Sequence, residues 1–323
     1  EYDRLFEVFA AHDIGYFFYN GGGDSQDTTY KISEMAKKLK FPIQCIGIPK
    51  TVDNDLPFTD CSPGFGSVAK YVATSTLEAG LDVKSMAETS TKVFILEVMG
   101  RHAGWIAASS CLAATKASDP PHIILLPEVP FKKSKFISQV KQTVKQNGYC
   151  VIVASEGTQT KNGKFLADSG LTDAFGHKQL GGVAPVLSSM ISKIGLKNHW
   201  AVADYLQRSA RHISSRTDLD QAYAVGSHAV KLAIAGKTAI MPIIKRLSDS
   251  PYKWKIETAP LKNIANVEKT MPKKFISTNG FKITAAGKKY LSPLIQGEAP
   301  TKYLNGIPDI AVLKKIMVKK KIT

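Results

Sequence analysis

The segment Pro49-Lys50-Thr51-Val52-Asp53-Asn54-Asp55-Leu56 sets an ammonium beside two carboxylates, directly after the apolar run Ile43-Gln44-Cys45-Ile46-Gly47-Ile48. A strand ending on such a cluster offers a cation suited to phosphate, a carboxylate able to take a proton and another able to hold a metal. Phosphoryl transfer needs those parts. A plain turn explains the same residues when they are taken alone, because Pro, Asn and Asp collect in turns for backbone reasons. The other clusters along the chain decide between the two.

Gly21-Gly22-Gly23-Asp24-Ser25 follows the run Ile14 to Tyr19 and precedes a helix expected to begin near Gln26. Glycines let backbone amides approach phosphate oxygens, and a helix N-terminus favours an anion. The loop fits neither the Walker pattern nor the dinucleotide fingerprint. Asp24 repels phosphate unless a metal stands between them, so it points to Mg²⁺ or to a charge that excludes a larger ligand. The plain alternative makes Asp24 and Ser25 helix caps. In Met99-Gly100-Arg101-His102-Ala103-Gly104-Trp105, Arg101 suits a phosphate or hydroxyl, and equally a surface turn. Ser155-Glu156-Gly157 places a carboxylate in the same way, and Asp204-Tyr205-Leu206-Gln207-Arg208 gathers a phenol, an amide and a guanidinium. The histidines show no ligand pairing, so no transition-metal site is expected.

The elements that must position these clusters are legible in the apolar pattern. Runs at 14–19, 43–48, 93–98, 122–126 and 150–154 each end on a polar or glycine-rich group. Near-continuous apolar runs of this length read as buried strands of a parallel sheet. Phe65, Val68, Ala69, Val72, Thr76 and Ala79 recur at helical spacing, with Gly80 as an expected stop. The alternation predicts an α/β fold, whose ligands sit at the carboxyl ends of the strands. Tyr2, Leu5, Phe6, Phe9 and Ala10 predict a helix ahead of the first strand. A chain that opens this way, and without Met, reads as a fold entered after its start. The region after Ile256 is expected to be peripheral.

Composition narrows the class. A chain of 323 residues predicts two domains. The formal charge of +16, from 43 basic against 27 acidic residues, fits nucleic-acid binding, an anionic substrate or a lysine-coated surface. Basic residues do not alternate with aromatic ones as in single-strand binders, so no nucleic-acid partner is expected. No apolar stretch is long enough for a bilayer, and no membrane partner is expected. Cys45, Cys61, Cys111 and Cys150 lack metal-type spacing and read as buried free thiols, which points to the cytoplasm.

In that order, Pro-Lys-Thr-Val-Asp-Asn-Asp, Met-Gly-Arg-His-Ala-Gly-Trp, Ser-Glu-Gly and Tyr-Leu-Gln-Arg resemble the phosphofructokinases. With Gly-Gly-Gly-Asp-Ser, the resemblance is closest to the pyrophosphate-dependent members, over essentially the whole chain. It implies two Rossmann-like three-layer domains with mainly parallel sheets and the active site between them. Residues 1–64 with 209–257 would carry the donor, and 65–208 with 258–323 the sugar phosphate. The reaction implied is Mg²⁺-dependent phosphoryl transfer from diphosphate to the 1-hydroxyl of fructose 6-phosphate. Asp53 would be the base, Lys50 would stabilise the transition state, and Arg101 would act with them. Thr51, Asp53, Met99, Gly100, Arg101, Glu156, Tyr205, Gln207 and Arg208 would contact the sugar substrate; Gly22, Gly23 and Ser25 would contact diphosphate. ATP-using members carry glycine at the positions of Asp24 and Lys50, so this pair implies diphosphate as donor, with an ATP-dependent enzyme as the alternative. Gly23 stands where ATP-using members have a carboxylate. The metal therefore falls to Asp24 alone, or to Asp55 with a residue of an N-terminal segment expected to precede this chain. The resemblance further implies a homo-oligomer, dimer or tetramer, with Lys92, Lys197 and His199 near positions that reach a neighbouring subunit's site.

Overall fold

A computed structural model describes residues 2–172, 178–180 and 182–322. The strands are β1 (Tyr16–Gly21), β2 (Gln44–Pro49), β3 (Val93–Val98), β4 (Ile123–Leu125), β5 (Cys150–Ser155), β6 (Asp168–Thr172), β7 (Lys178–Leu180), β8 (Asn198–Val202), β9 (Ile240–Asp249), β10 (Tyr252–Pro260), β11 (Tyr303–Leu304) and β12 (Ile307–Pro308). The helices are α1 (Tyr2–Ala11), α2 (Gly23–Leu39), α3 (Phe65–Met86), α4 (Trp105–Ser109), α5 (Lys133–Asn147), α6 (Val183–Ser192), α7 (Leu206–Ser209), α8 (Arg216–Ile234) and α9 (Ala285–Leu291).

These elements form two principal sheets. One has the order β1-β2-β9-β10, parallel except for the antiparallel β9–β10 pair. The other has the order β4-β5-β3-β8 and is parallel throughout. The mainly parallel α/β architecture is the one the alternating pattern predicts. The sheets share a core through α3, where Phe65, Val68, Ala69 and Val72 meet Leu96, Val98 and Val153 of one sheet and Ile244 of the other. Each large side chain buried there contributes roughly 1.5–3 kcal/mol.

Four expectations are corrected. α3 does not stop at Gly80 but runs on to Met86, with Gly80 packed on Pro120. α2 begins at Gly23, ahead of Gln26, and Gly22 occupies the cap position with no side-chain cap; Asp24 lies in the first turn and caps nothing. β1 is not a buried strand, since Tyr16, Phe18 and Tyr19 are exposed on a strand paired along one side only. Finally, residues beyond Ile256 are not all peripheral: Met271, Phe275, Ile283, Leu291 and Leu294 belong to the largest apolar cluster. The expected first helix is present as α1, which buries Phe6 and Phe9 against Ile32 and Ala36. All four cysteines are free and buried.

Candidate functional site

The polar clusters converge where the carboxyl ends of the two sheets face each other. Two cavities lie there. The first, about 710 Å³, is lined by Gly22 to Ser25 after β1, by Thr51, Asp53 and Asp55 after β2, by Arg101 and His102 after β3, and by Glu156 after β5. The second, about 510 Å³, is lined by Lys50, Ser67, Gln207, Arg208 and Arg211. Gly22, Thr51 and Asp53 line both.

The turn after β2 is held from several sides. Lys50 N donates to the Gly21 carbonyl at 3.2 Å, and Thr51 N to the Pro63 carbonyl at 3.2 Å. Thr51 Oγ1 accepts the Asp53 N–H at 3.1 Å. Gln26, fully buried in α2, donates from Nε2 to the carbonyls of Gly21 at 2.9 Å and Ile48 at 3.1 Å, so the ends of β1 and β2 stay level. Asn54 adopts φ 54°, a left-handed conformation that an Asn tolerates better than most residues.

The second sheet contributes a close approach of two backbones. Gly100 has φ 121°, and its N–H donates to Glu156 Oε1 at 3.2 Å. A Cβ on Gly157 would fall 1.9 Å from the Arg101 carbonyl oxygen, so only glycine lets the turn after β5 lie against the turn after β3. Gln207, buried, accepts the Met99 N–H at 3.4 Å and donates to the Asp204 carbonyl at 2.9 Å. It thereby ties α7 to the end of β3.

Electrostatics single out Asp53. Burial raises its carboxyl to about 7, and the neighbouring carboxylates of Asp55 and Glu156 add to the shift while Arg101 and His102 oppose it. Asp55 is raised mainly by burial, and its Oδ1 is buried without a hydrogen-bond partner. Burial likewise raises Glu156, against the Gly100 N–H and Arg101. A carboxylate poised near neutrality in a cavity is a candidate acid–base group.

The residues singled out in the sequence are shared between the two cavities. Asp24 shares the first cavity with Arg101 and Glu156, whereas Lys50, exposed, faces the second beside Gln207 and Arg208. Met99 and Gly100 line neither cavity, and their N–H groups bind Gln207 and Glu156. Tyr205 also lines neither; it is 64% exposed, and the Arg208 guanidinium lies 4.3 Å from its ring centroid. Lys92 Nζ donates to the Ala87 carbonyl and Lys197 Nζ to Ser90 Oγ, while His199 is exposed on β8. None of these three lines either of the two cavities.

Sequence reading missed the strap Asn266-Val267-Glu268-Lys269. Its first three residues line the first cavity. Asn266 Nδ2 donates to Asp27 Oδ1 at 3.0 Å, and Glu268 Oε1 lies 2.6 Å from His102 Nδ1. Glu128 accepts the N–H groups of Gly104 and Met271, fixing the strap's far end. No signal in a Lys- and Asn-bearing loop distinguishes it from exposed surface.

Among the described residues, no group of three or more His, Cys, Asp or Glu is arranged to hold a metal. The donor chemistry still suits a hard cation: Asp24, Asp53, Asp55, Glu156 and Glu268 supply only carboxylate oxygens to the first cavity. Mg²⁺ needs just one or two of these when substrate phosphates complete its shell.

Parallel sheets whose carboxyl ends enclose carboxylates, a guanidinium and a glycine-rich helix start define an α/β protein built for a phosphorylated ligand. Residues 1–233 match the phosphofructokinase family model, and the chain belongs to that family. It is 60% identical over 323 residues to the pyrophosphate–fructose 6-phosphate 1-phosphotransferase of Halomonas elongata, covering all of this chain and 77% of that protein. The corresponding protein of Methylococcus capsulatus is 57% identical, with the same coverage of both chains. The crystal structure of the pyrophosphate-dependent phosphofructokinase of Marinobacter aquaeolei superimposes with a TM-score of 0.92 at 58% identity, covering 100% of this chain and 78% of that one.

Proposed function

We propose that this chain is a diphosphate-dependent 6-phosphofructokinase, transferring a phosphoryl group reversibly to the 1-hydroxyl of fructose 6-phosphate. The relatives that match it over its full length support the reaction. The observation that carries the site assignment is Asp53, a half-buried carboxyl raised to about 7 that is common to both cavities. As base, Asp53 takes the hydroxyl proton while the oxygen attacks one phosphorus of diphosphate. The bridging P–O bond breaks, and orthophosphate leaves. A base of modest strength suffices, because the hydroxyl acidifies as the new bond forms.

Lys50 neutralises charge on the transferring group, in a cavity whose other cations, Arg208 and Arg211, also suit phosphate oxygens. Arg101 and Glu156 hold the sugar with Thr51, and Gln207 and Arg208 add contacts. Tyr205 is assigned to substrate on resemblance alone. Gly22, Gly23 and Ser25 present the helix start to diphosphate. Asp24 sets charge and bulk against a nucleotide donor. Asp24 and Asp55 would hold Mg²⁺, which when bound neutralises phosphate charge.

We assign the donor to residues 1–64 with 209–257 and the sugar to 65–208 with 258–323, a division that keeps β1, β2 and β9 on one side and β3, β4, β5 and β8 on the other, with one boundary falling inside β10. Assembly as a dimer or tetramer is proposed from Trp200, Val202, Tyr205 and Leu206, exposed on and beside the edge strand β8. A cytoplasmic location is supported by the free, buried thiols. The test is an assay with fructose 6-phosphate and Mg²⁺, comparing diphosphate with ATP. Formation of the bisphosphate from diphosphate alone is expected; turnover with ATP alone overturns the donor assignment.

A further inference from the structure

Behind the proposed base lies a cation that the reaction itself does not use. Lys269 Nζ donates to Asn54 Oδ1 at 3.3 Å and to the carbonyls of Thr59 and Asp60 at 3.0 Å each. An ammonium has three protons, so these contacts use all of them. Its Nζ also stands 5.5 Å from the Trp105 ring centroid. The backbone of the same residue binds in two further directions. Lys269 N donates to the Asp55 carbonyl at 2.6 Å, and its carbonyl accepts Trp105 Nε1 at 3.0 Å. One residue thus joins both ends of the loop carrying Asp53 and Asp55 to the start of α4, just beyond Arg101.

Asn54 is where that grip meets the chemistry. It lies between the two carboxylates, is fully buried, and holds the left-handed turn described above. Its Oδ1 accepts from Ser62 N at 3.0 Å as well as from Lys269, and its Nδ2 donates to the Tyr290 hydroxyl at 3.0 Å. Tyr290 in turn donates to the Asp60 carbonyl at 2.5 Å, and its own carbonyl accepts Arg246 Nη2 at 3.0 Å. Arg246 grips the Asp60 carboxylate through Nε at 2.9 and 3.0 Å. Every polar atom of the Asn54 side chain is therefore satisfied from behind the cavity. The peptide torsions on either side, which aim Asp53 and Asp55, have little freedom left.

We propose that Lys269 is a positioning residue for phosphoryl transfer: with Tyr290 it locks the Asn54 turn and so aims the Asp53 carboxylate at the junction of the two cavities. The proposal rests on the reading of Asp53 as base. A cation that served only packing or stability would lower the melting temperature and leave turnover per folded molecule unchanged. A positioning cation lowers kcat while substrate binding survives, because the Gly100 N–H holds Glu156 and the Gly21 carbonyl holds the Lys50 backbone without any part of Lys269.

Three variants separate these roles, each checked for folding by circular dichroism and melting temperature before kinetics. Lys269→Met keeps the apolar stem and removes the donors. Tyr290→Phe removes one hydroxyl from the lock. Asn54→Gly permits the left-handed turn freely but removes its anchors. In the diphosphate assay, kcat is expected to fall about a hundredfold for Lys269→Met, the scale of a small misplacement of reacting groups. A roughly tenfold fall is expected for Tyr290→Phe, the scale of losing the hydroxyl's bond to Asn54. Asn54→Gly should fall as far as Lys269→Met, and KM for both substrates should stay within about threefold throughout. A folded Lys269→Met enzyme with kcat within threefold of wild type overturns the proposal, as does a rise in KM at unchanged kcat. Should Lys269→Met not fold, Tyr290→Phe decides, and an unchanged kcat there overturns it equally. If the wild-type chain uses ATP rather than diphosphate, only the donor assignment fails, and the same comparison of kcat is made with ATP. A wild-type chain inert with both donors overturns the proposal together with the reading it rests on.

Discussion

Lys50 and Asp24 face different cavities, with Gly22, Thr51 and Asp53 as the partition between them. The two residues proposed to select the donor therefore act from opposite sides of the reacting centre. Removing one leaves the other's wall intact, so their effects can be read separately.

Lys50→Gly removes the cation that faces the second cavity. Turnover with diphosphate is expected to fall by about 10²–10³-fold, the range for losing one charge-stabilising donor. Steady-state kinetics checks this, and near-normal kcat would remove Lys50 from the transition state.

Asp24→Gly clears charge and bulk from the first turn of α2 without disturbing a cap, since Asp24 caps nothing. Measurable turnover with ATP is expected to emerge, while diphosphate turnover declines. If ATP remains unused at millimolar concentration, exclusion of nucleotides must lie elsewhere in the cavity.

Gly157→Ala tests the backbone contact between the turns after β5 and β3. The new methyl would meet the Arg101 carbonyl, so Arg101 must move or the turn after β5 must retreat. A destabilisation of about 1–3 kcal/mol is expected from such overpacking. KM for fructose 6-phosphate should rise with it. Denaturant unfolding beside kinetics would show whether the two losses travel together.

The proposed base should be visible in the pH dependence of activity. With Asp53 raised to about 7 by burial, protonation removes the competent form as pH falls through that value. The expected profile of kcat/KM loses about tenfold per pH unit below it. A flat profile down to pH 5 would count against Asp53. Asp53→Asn should be inactive at every pH.

His122 offers a stability test away from the site. Its Nδ1 accepts the Val151 N–H at 2.9 Å and Nε2 lies 3.2 Å from the Ser118 carbonyl, so the neutral ring is the one bound. Burial depresses its pKa to about 4, helped by Lys282. The unfolded chain, titrating near 6.5, then binds more protons than the native one between those values. The stabilisation is fully present above pH 6.5 and is lost as pH falls toward 4, by roughly 3 kcal/mol in all. His122→Gln should flatten that slope; parallel curves for the two proteins would reject the assignment.

Strand ends were legible because apolar runs stop abruptly at polar clusters, and the parallel sheets place those stops together. That Lys50, Asp53, Asp55, Arg101 and Glu156 would gather at strand ends was therefore legible from type and position, and they line the two cavities. Which cavity each faces was not legible. Lys50 and Thr51 are adjacent, yet only the pleat and the turn after β2 decide that Lys50 opens on the Arg208 side alone. Tyr205 shows the converse limit, because proximity to Gln207 in sequence did not carry its ring into a cavity. The strap was invisible for a different reason. An ammonium enclosed by carbonyls and one exposed to water are the same letter, and only the approach of Thr59, Asp60 and Asn54 tells them apart.

The shared partition has a thermodynamic consequence. Any anion entering either cavity raises the proton affinity of the same carboxyl group, and by reciprocity a proton held there weakens the repulsion each anion meets. Association of either substrate should therefore be accompanied by proton uptake, and titration calorimetry should give binding heats that change with the ionisation enthalpy of the buffer. The two substrates would then sense each other through one hydrogen ion before any bond between them forms, with no movement of the backbone.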